Sequence, residues 1–255
     1  MNGSFSAIFA RRFLLFCACA GLASSAAQSQ APGAVVFQRI DEAVQHRVDN
    51  VAGFTDIEKY DVYRGHDEAH PVAEIVVKAV YRRYKCRSYQ VLSQNGSDMI
   101  RRFGLLPLLK HEEQLSAPGN MEHSWFTSAN YEMKLNSSET QSVAGHQCYQ
   151  VAITPRHKAP NAIEGTLWVD ANDFSVVKVE GVASRRPSML AGTTRMMREY
   201  KQVHGYSMAT HARAVSDSHF IGRTVVTVEY SNYHLDFYPN PESFAAESIA
   251  TAGSE

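Results

Sequence analysis

Between residues 73 and 237, most of the sequence alternates between apolar and polar residues, with turn residues separating the alternating runs. In the first run Ile75 and Val77 lie on one side, while Glu74 and Lys78 lie on the other. A period of two is typical of β-strands that bury one face. Helical patterns do not alternate with these runs. The runs therefore predict consecutive antiparallel strands rather than a parallel sheet.

The number of such runs constrains the fold. Turn dipeptides such as Asn95-Gly96 and His204-Gly205 separate about nine to eleven of them. A sheet of that many strands must curl or close to protect its edges, and side chains, helices or a ligand must fill its interior. We therefore predict an α+β fold in which a curved antiparallel sheet carries a few short helices.

Two segments have helical patterns. The first ends near Gly53 and carries one apolar stripe, made of Val36, Phe37, Ile40, Val44, Val48 and Val51. In the second, Ser97 or Asp98 caps a short helix, Pro107 interrupts it, and another short helix restarts there. The leucines around this break predict a very apolar cover for the sheet.

The N-terminus has the three parts of a secretory leader. Arg11 and Arg12 precede an apolar run over residues 13–22, and small residues follow it. We expect residues 1–26 to be a signal peptide, 34–238 to be one folded domain and 239–255 to be a disordered tail. The alternatives are an uncleaved tether, a twin-arginine leader, or a lipid on Cys17 or Cys19.

Two cysteines, Cys86 and Cys148, remain after such a cleavage. In an oxidising compartment an even pair is a candidate disulfide, and the alternative is two separate thiols. The formal net charge of −1 gives no indication of a nucleic-acid partner.

The order of these elements resembles that of the bacterial outer-membrane lipoprotein-sorting superfamily, which includes LolA-, LolB- and RseB-like domains. The resemblance is strongest to uncharacterised secreted members of this superfamily. The residues that carry the resemblance include "VAGHQCYQVAITPR" and the hairpin "LWVDANDFSVVKVEG". The resemblance implies an incomplete β-barrel of LolA type, whose concave apolar side is covered by helices and holds acyl chains.

Candidate residues for such a cavity are apolar side chains, for which ordinary core packing is the alternative. They are Phe103, Leu105, Leu108, Leu109, Trp168, Met189, Leu190 and Met196.

Motifs for catalysis are missing from the sequence. It has no Gly-x-Ser-x-Gly, no His-Glu-x-x-His and no glycine-rich phosphate loop. His66 and His70 flank two acids as a metal site can, but a solvated turn is the stronger interpretation. Asp170 and Asp173 fit turn chemistry better than an acid pair.

These observations favour a non-catalytic periplasmic protein without metal or cofactor. We expect a monomeric carrier or receptor for a lipid or for lipoprotein acyl chains, with envelope membrane proteins as candidate partners. The alternative is an envelope-stress sensing or protein-interaction module of RseB type.

Overall fold

A computed structural model describes residues 32–159, 161–185, 193–218 and 222–238, all within one compact unit. The predicted leader and tail lie outside these ranges, as do the candidate cavity residues Met189 and Leu190. None of the described helices is long and apolar enough to cross a bilayer.

The main element is an eleven-stranded antiparallel sheet. Along the chain its strands are β1 (Val51–Arg64), β2 (Ala73–Arg82), β3 (Ser88–Gly96), β4 (Tyr131–Leu135), β5 (Gln141–Val143), β6 (His146–Pro155), β7 (Ile163–Asp170), β8 (Val176–Ala183), β9 (Thr194–Val203), β10 (Tyr206–Ser218) and β11 (Gly222–Phe237). The spatial order is β3-β2-β1-β11-β10-β9-β8-β7-β6-β4, and β5 pairs with β6. β3 and β4 lie at the two ends of this order and do not pair with each other. The sheet is therefore open, which confirms the predicted incomplete barrel.

The first helix, α1 (Pro32–Asn50), ends three residues before Gly53. Its predicted apolar stripe is correct up to Val48, but Val51 already pairs with Phe237 in the ladder between β1 and β11. The carbonyl of Asn50 accepts a hydrogen bond from the Tyr238 N–H at 3.0 Å. The apolar pattern alone would extend the helix to Val51. Pairing with the last strand ends the helix at Asn50 instead.

The second helical segment consists of α2 (Asp98–Ile100), a π-helical stretch (Arg101–Leu105) and α3 (Leu106–Leu115). The Ser97 hydroxyl caps it as predicted, accepting a hydrogen bond from the Ile100 N–H at 3.4 Å. Pro107 lies in the first turn of α3, which follows the π-helical stretch directly, so the helical conformation continues across this residue instead of being interrupted there. A short 3₁₀-helix (Met121–Ser124) follows.

The two helical covers pack on different parts of the concave face. Under α1, Val36 and Ile40 join buried residues of β4, β6, β7 and β8. Under α3, Leu105 and Leu109 join Tyr60, Val62, Ala73, Ile75, Val77 and Val228 of the strands around β1. Between these two clusters, part of the concave face above β9 and β10 is covered by neither helix.

The two cysteines of the predicted disulfide are both free thiols. Cys148 is buried against Trp168 and Val177, whereas Cys86 is exposed in the connection between β2 and β3. A disulfide requires Cβ atoms about 3.5–4.5 Å apart, which these two environments do not provide. The candidate bridge is therefore not formed in this structure, which has the alternative of two separate thiols.

Thiol labelling tests this correction. In protein that begins at Ala27, Cys86 should react rapidly in the folded state. Cys148 should react only after unfolding, because burial raises its pKa to about 11. Two thiols should titrate in urea without reductant, and a count of zero there would restore the disulfide.

A second test concerns the leucines of α3. Leu109 is 5% exposed in the cluster around β1, so Leu109→Ala should lower the free energy of unfolding by about 2–5 kcal/mol. Leu106, which is 39% exposed one turn earlier, is the matched control, and Leu106→Ala should change it by less than about 1 kcal/mol. Equal effects in urea denaturation would contradict this packing of α3.

Candidate functional site

The uncovered part of the concave face forms a cavity of about 940 Å³ between α1, α3 and the strands around β10. Binding pockets for small molecules are typically about 300–1,000 Å³, so this volume is at the upper end. Ala212 and Ala214 lie at the middle of its floor, each between larger residues of β9 and β11. Their short side chains leave the space that a larger residue would fill.

One part of the wall is apolar. Register places Met196 beside Ala214 and Ala214 beside Val226, so three neighbouring strands present one apolar row. Leu108 of α3 and Val179 of β8 belong to the same cavity lining. This part of the wall can bury methylene groups and can make few hydrogen bonds.

The cavity reaches solvent beside α1 and two turns of the sheet. Arg39 and His46 of α1 are exposed cavity residues, as are Asp173 of the β7–β8 turn and Gln202 at the end of β9. Charged and polar residues thus surround this opening, and the apolar row lies further inside.

A cluster of ionisable residues occupies the part of the concave face near β1. The Arg87 guanidinium donates to Glu58 and, at 3.2 Å, to Asp56. The Tyr60 hydroxyl donates to the same Glu58 carboxylate at 2.5 Å. The Arg87 backbone N–H also donates to Ser116 Oγ at 2.6 Å, which connects this cluster to the end of α3.

Asp56 is the least well compensated member of this cluster. It is 1% exposed, and its Oδ2 atom has no partner among the described residues. Burial raises the pKa of Asp56 to about 7; the Glu58 charge adds to the rise, and Arg87 opposes it. One arginine thus faces two carboxyl groups, of which Asp56 retains its proton up to about neutral pH.

A second cation, Arg198 of β9, lines the same cavity. Unlike Arg87, it forms no ion pair with a described carboxylate, and its polar neighbours are the tyrosines Tyr200 and Tyr230. Burial raises the pKa of Tyr230 well above its usual value, so its hydroxyl stays protonated. Glu112 of α3 adds a negative charge at longer range.

Comparisons with known proteins give similarity in fold. The chain matches no protein-family model and no curated protein sequence. Among solved structures it is similar to a LolA superfamily protein from Nitrosomonas europaea, with 13% identity, a TM-score of 0.41, and 81% of this chain and 94% of that one covered. It is also similar to a DUF1329 family protein from Desulfovibrio piger, with 13% identity, a TM-score of 0.41, and coverage of 80% and 93%.

A third similar structure is a domain from Vibrio parahaemolyticus named for outer membrane lipoprotein sorting, with 13% identity, a TM-score of 0.45, and coverage of 82% and 96%. The strand order and register described above establish the open sheet in this chain.

The structure brings together only some of the residues that the sequence suggested for the cavity. Leu108 and Met196 line it. Leu105 and Leu109 are buried under α3 instead, and Phe103 is 81% exposed.

Trp168 likewise lies outside the described cavity lining. It packs with Cys148 and Val177, and its neighbours Leu167 and Val169 point to the α1 side. Successive side chains of a strand point to opposite faces, so Trp168 is on the convex face.

The polar residues in and beside the cavity were missed by the sequence analysis. Asp56 and Glu58 lie in β1, which was not recognised because acids occupy its inward positions. Arg198 lies in a strand whose two faces both carry charges, so alternation did not mark it as internal. The one available signal was Tyr60 and Val62, which continue the period of two from Glu58.

Other candidate chemistry has structural explanations. The described ranges hold no group of three or more His, Cys, Asp or Glu residues placed for a metal ion. Asp170 accepts a hydrogen bond from the Asn172 N–H at 2.7 Å, as its turn requires. His146 contacts Asp170 at 2.6 Å, and Cys148 is nearby, but the raised pKa of this thiol leaves almost no thiolate at neutral pH.

The Asp56 carboxyl gives a prediction for stability against pH. Its pKa is raised on folding, so the folded state binds more protons than the unfolded state between about pH 4 and pH 7. The free energy of unfolding should therefore fall as the pH rises through this window. Asp56→Asn should remove this fall and stabilise the protein at pH 8 by about 1–4 kcal/mol.

Urea denaturation at several pH values measures this effect. Asp49→Asn, the same change on the exposed side of α1, is the control and should leave the wild-type profile intact. If Asp56→Asn also keeps the wild-type profile, Asp56 is not the group that titrates.

Proposed function

We propose that this protein is a periplasmic carrier or receptor that binds the alkyl chain of a lipid, or the acyl chains of a lipoprotein, without changing it chemically. The observation that supports this proposal is the cavity of about 940 Å³ with an apolar row on its floor. Its periplasmic location rests on the leader predicted for residues 1–26.

Burial of methylene groups supplies the driving force. Each methylene that leaves water for an apolar site contributes about 0.8 kcal/mol. A chain with ten buried methylenes therefore gains about 8 kcal/mol, from which the entropy lost on association must be subtracted. The remainder suits a carrier, which must both hold its ligand and release it.

The covers suggest how ligand enters. A continuous sheet forms the floor, whereas α1 and α3 are separate helices on different parts of it. Leu108 of α3 lines the same cavity as the apolar row, so an outward movement of this helix widens the space above Met196 and Ala214. We propose that α3 is the cover that moves when ligand enters or leaves.

A different feature favours the alternative, a protein-interaction module. Met99 and Phe103 are 67% and 81% exposed in the second helical segment, and Val91 and Leu92 are exposed on the edge strand β3. Exposed apolar residues beside an unpaired edge are typical of interaction surfaces. This alternative requires no ligand in the cavity, so a binding experiment separates the two functions.

Binding of Nile red, a neutral apolar dye, tests the carrier proposal. The wild-type protein should bind it with a rise in fluorescence and a dissociation constant in the micromolar range. Ala214→Phe places a ring in the middle of the cavity floor and should weaken binding by about tenfold or more, which corresponds to about 1.4 kcal/mol.

The control for this variant is Ala34→Phe, the same substitution at an exposed position of α1. It should bind the dye as the wild type does, and thermal unfolding should show that both variants are folded. A wild-type protein that binds neither Nile red nor lipid would leave the interaction module as the better function.

A further inference from the structure

The two arginines of the cavity differ in how their charges are compensated. Arg87 contacts the carboxylates of Glu58 and Asp56 and lies over the rings of Phe54 and Tyr89 at 5.6 and 5.4 Å. Its charge is therefore compensated within the protein, although its Nε–H has no partner among the described residues. Arg198 makes no ion pair with any carboxylate of the described residues, although it lies in the same cavity.

A guanidinium presents five N–H donors, and neutral tyrosine hydroxyls do not compensate its charge. The polar neighbours of Arg198 are Tyr200 and Tyr230, with Glu112 at longer range. A cation in a partly apolar site is stabilised by an anion that reaches it and accepts its hydrogen bonds. Arg198 therefore provides a binding group for an anion inside the cavity.

The positions of its neighbours give such an anion an orientation. Register places Arg198 beside Ala212, with Val228 and then Tyr60 further along the same row. Two residues earlier in β9, Met196 begins the apolar row, whereas two residues later Tyr200 belongs to the polar part. Arg198 thus lies at the boundary between the apolar and polar parts of one cavity.

From this boundary we infer that the ligand is an anionic amphiphile whose headgroup binds Arg198 while its alkyl chain lies along Met196, Ala214 and Val226. A carboxylate headgroup fits the planar guanidinium through two parallel hydrogen bonds. The Tyr230 hydroxyl is available to donate a third. This inference rests on the proposed function and specifies the chemical class of its ligand.

The test compares two ligands that share an alkyl chain and differ in headgroup charge. Palmitate and hexadecanol are titrated separately, at about pH 8, against protein loaded with Nile red. The wild-type protein should bind palmitate about tenfold more tightly than hexadecanol, because a hydrogen bond between a guanidinium and a carboxylate is stronger than one to a neutral hydroxyl. Equal affinities would overturn the inference while leaving the carrier function intact, and failure to displace the dye with either ligand would count against both.

Variants then locate the headgroup. Arg198→Met should lower the affinity for palmitate to that for hexadecanol and should leave hexadecanol binding unchanged. Arg195→Met is the matched control, because Arg195 lies in the same strand with its side chain 70% exposed and outside the cavity lining. A loss of affinity for both ligands in Arg198→Met would assign this residue a structural role.

Glu112→Gln gives an independent result that does not remove the arginine. It takes away a negative charge from the cavity wall near Arg198, so palmitate should bind more tightly and hexadecanol as before. If Glu112→Gln instead weakens palmitate binding, the anion does not lie at Arg198. This arm remains informative even if Arg198→Met does not fold.

Discussion

Antiparallel pairing between the first and last strands is the interaction on which the rest of the structure depends. β1 pairs with β11 from Val51 opposite Phe237 to Arg64 opposite Thr224, with two register irregularities. It joins segments that are far apart in the sequence, so its loop-closure entropy must be offset by a long ladder. It also places Tyr60 beside Val228 and Glu58 beside Tyr230, so that Tyr60 lines the cavity and Glu58 lies next to it.

The cavity follows from the mismatch between this broad sheet and its two small covers. α1 buries residues of the strands from β4 to β8, and α3 buries residues around β1. Neither cover fills the space above β10, where the short side chains of Ala212 and Ala214 leave room above the sheet. In a close-packed protein such a gap loses dispersion contacts, so its size represents stability that a bound apolar chain can restore.

The sequence predicted the architecture better than the site, for a physical reason. Most strands bury one apolar face, so their period of two is visible without the structure. β1 was not predicted as a strand because Asp56 and Glu58 face inward, at positions where the pattern requires apolar residues. Leu108 and Leu109 are adjacent and differ only in direction around α3, so composition could not tell which one lines the cavity.

The charges inside the cavity belong to parts of the structure that differ in how they are held. Arg198 is on β9, whose neighbours β8 and β10 fix it in the sheet, whereas Glu112 is on α3. Arg87 and its two carboxylates form a cluster that compensates itself within the wall near β1. If α3 moves outward to admit a ligand, Glu112 moves away with it and Arg198 stays in place. The same movement that widens the apolar row therefore makes the cavity more favourable for an anion, and closure of α3 makes it less so.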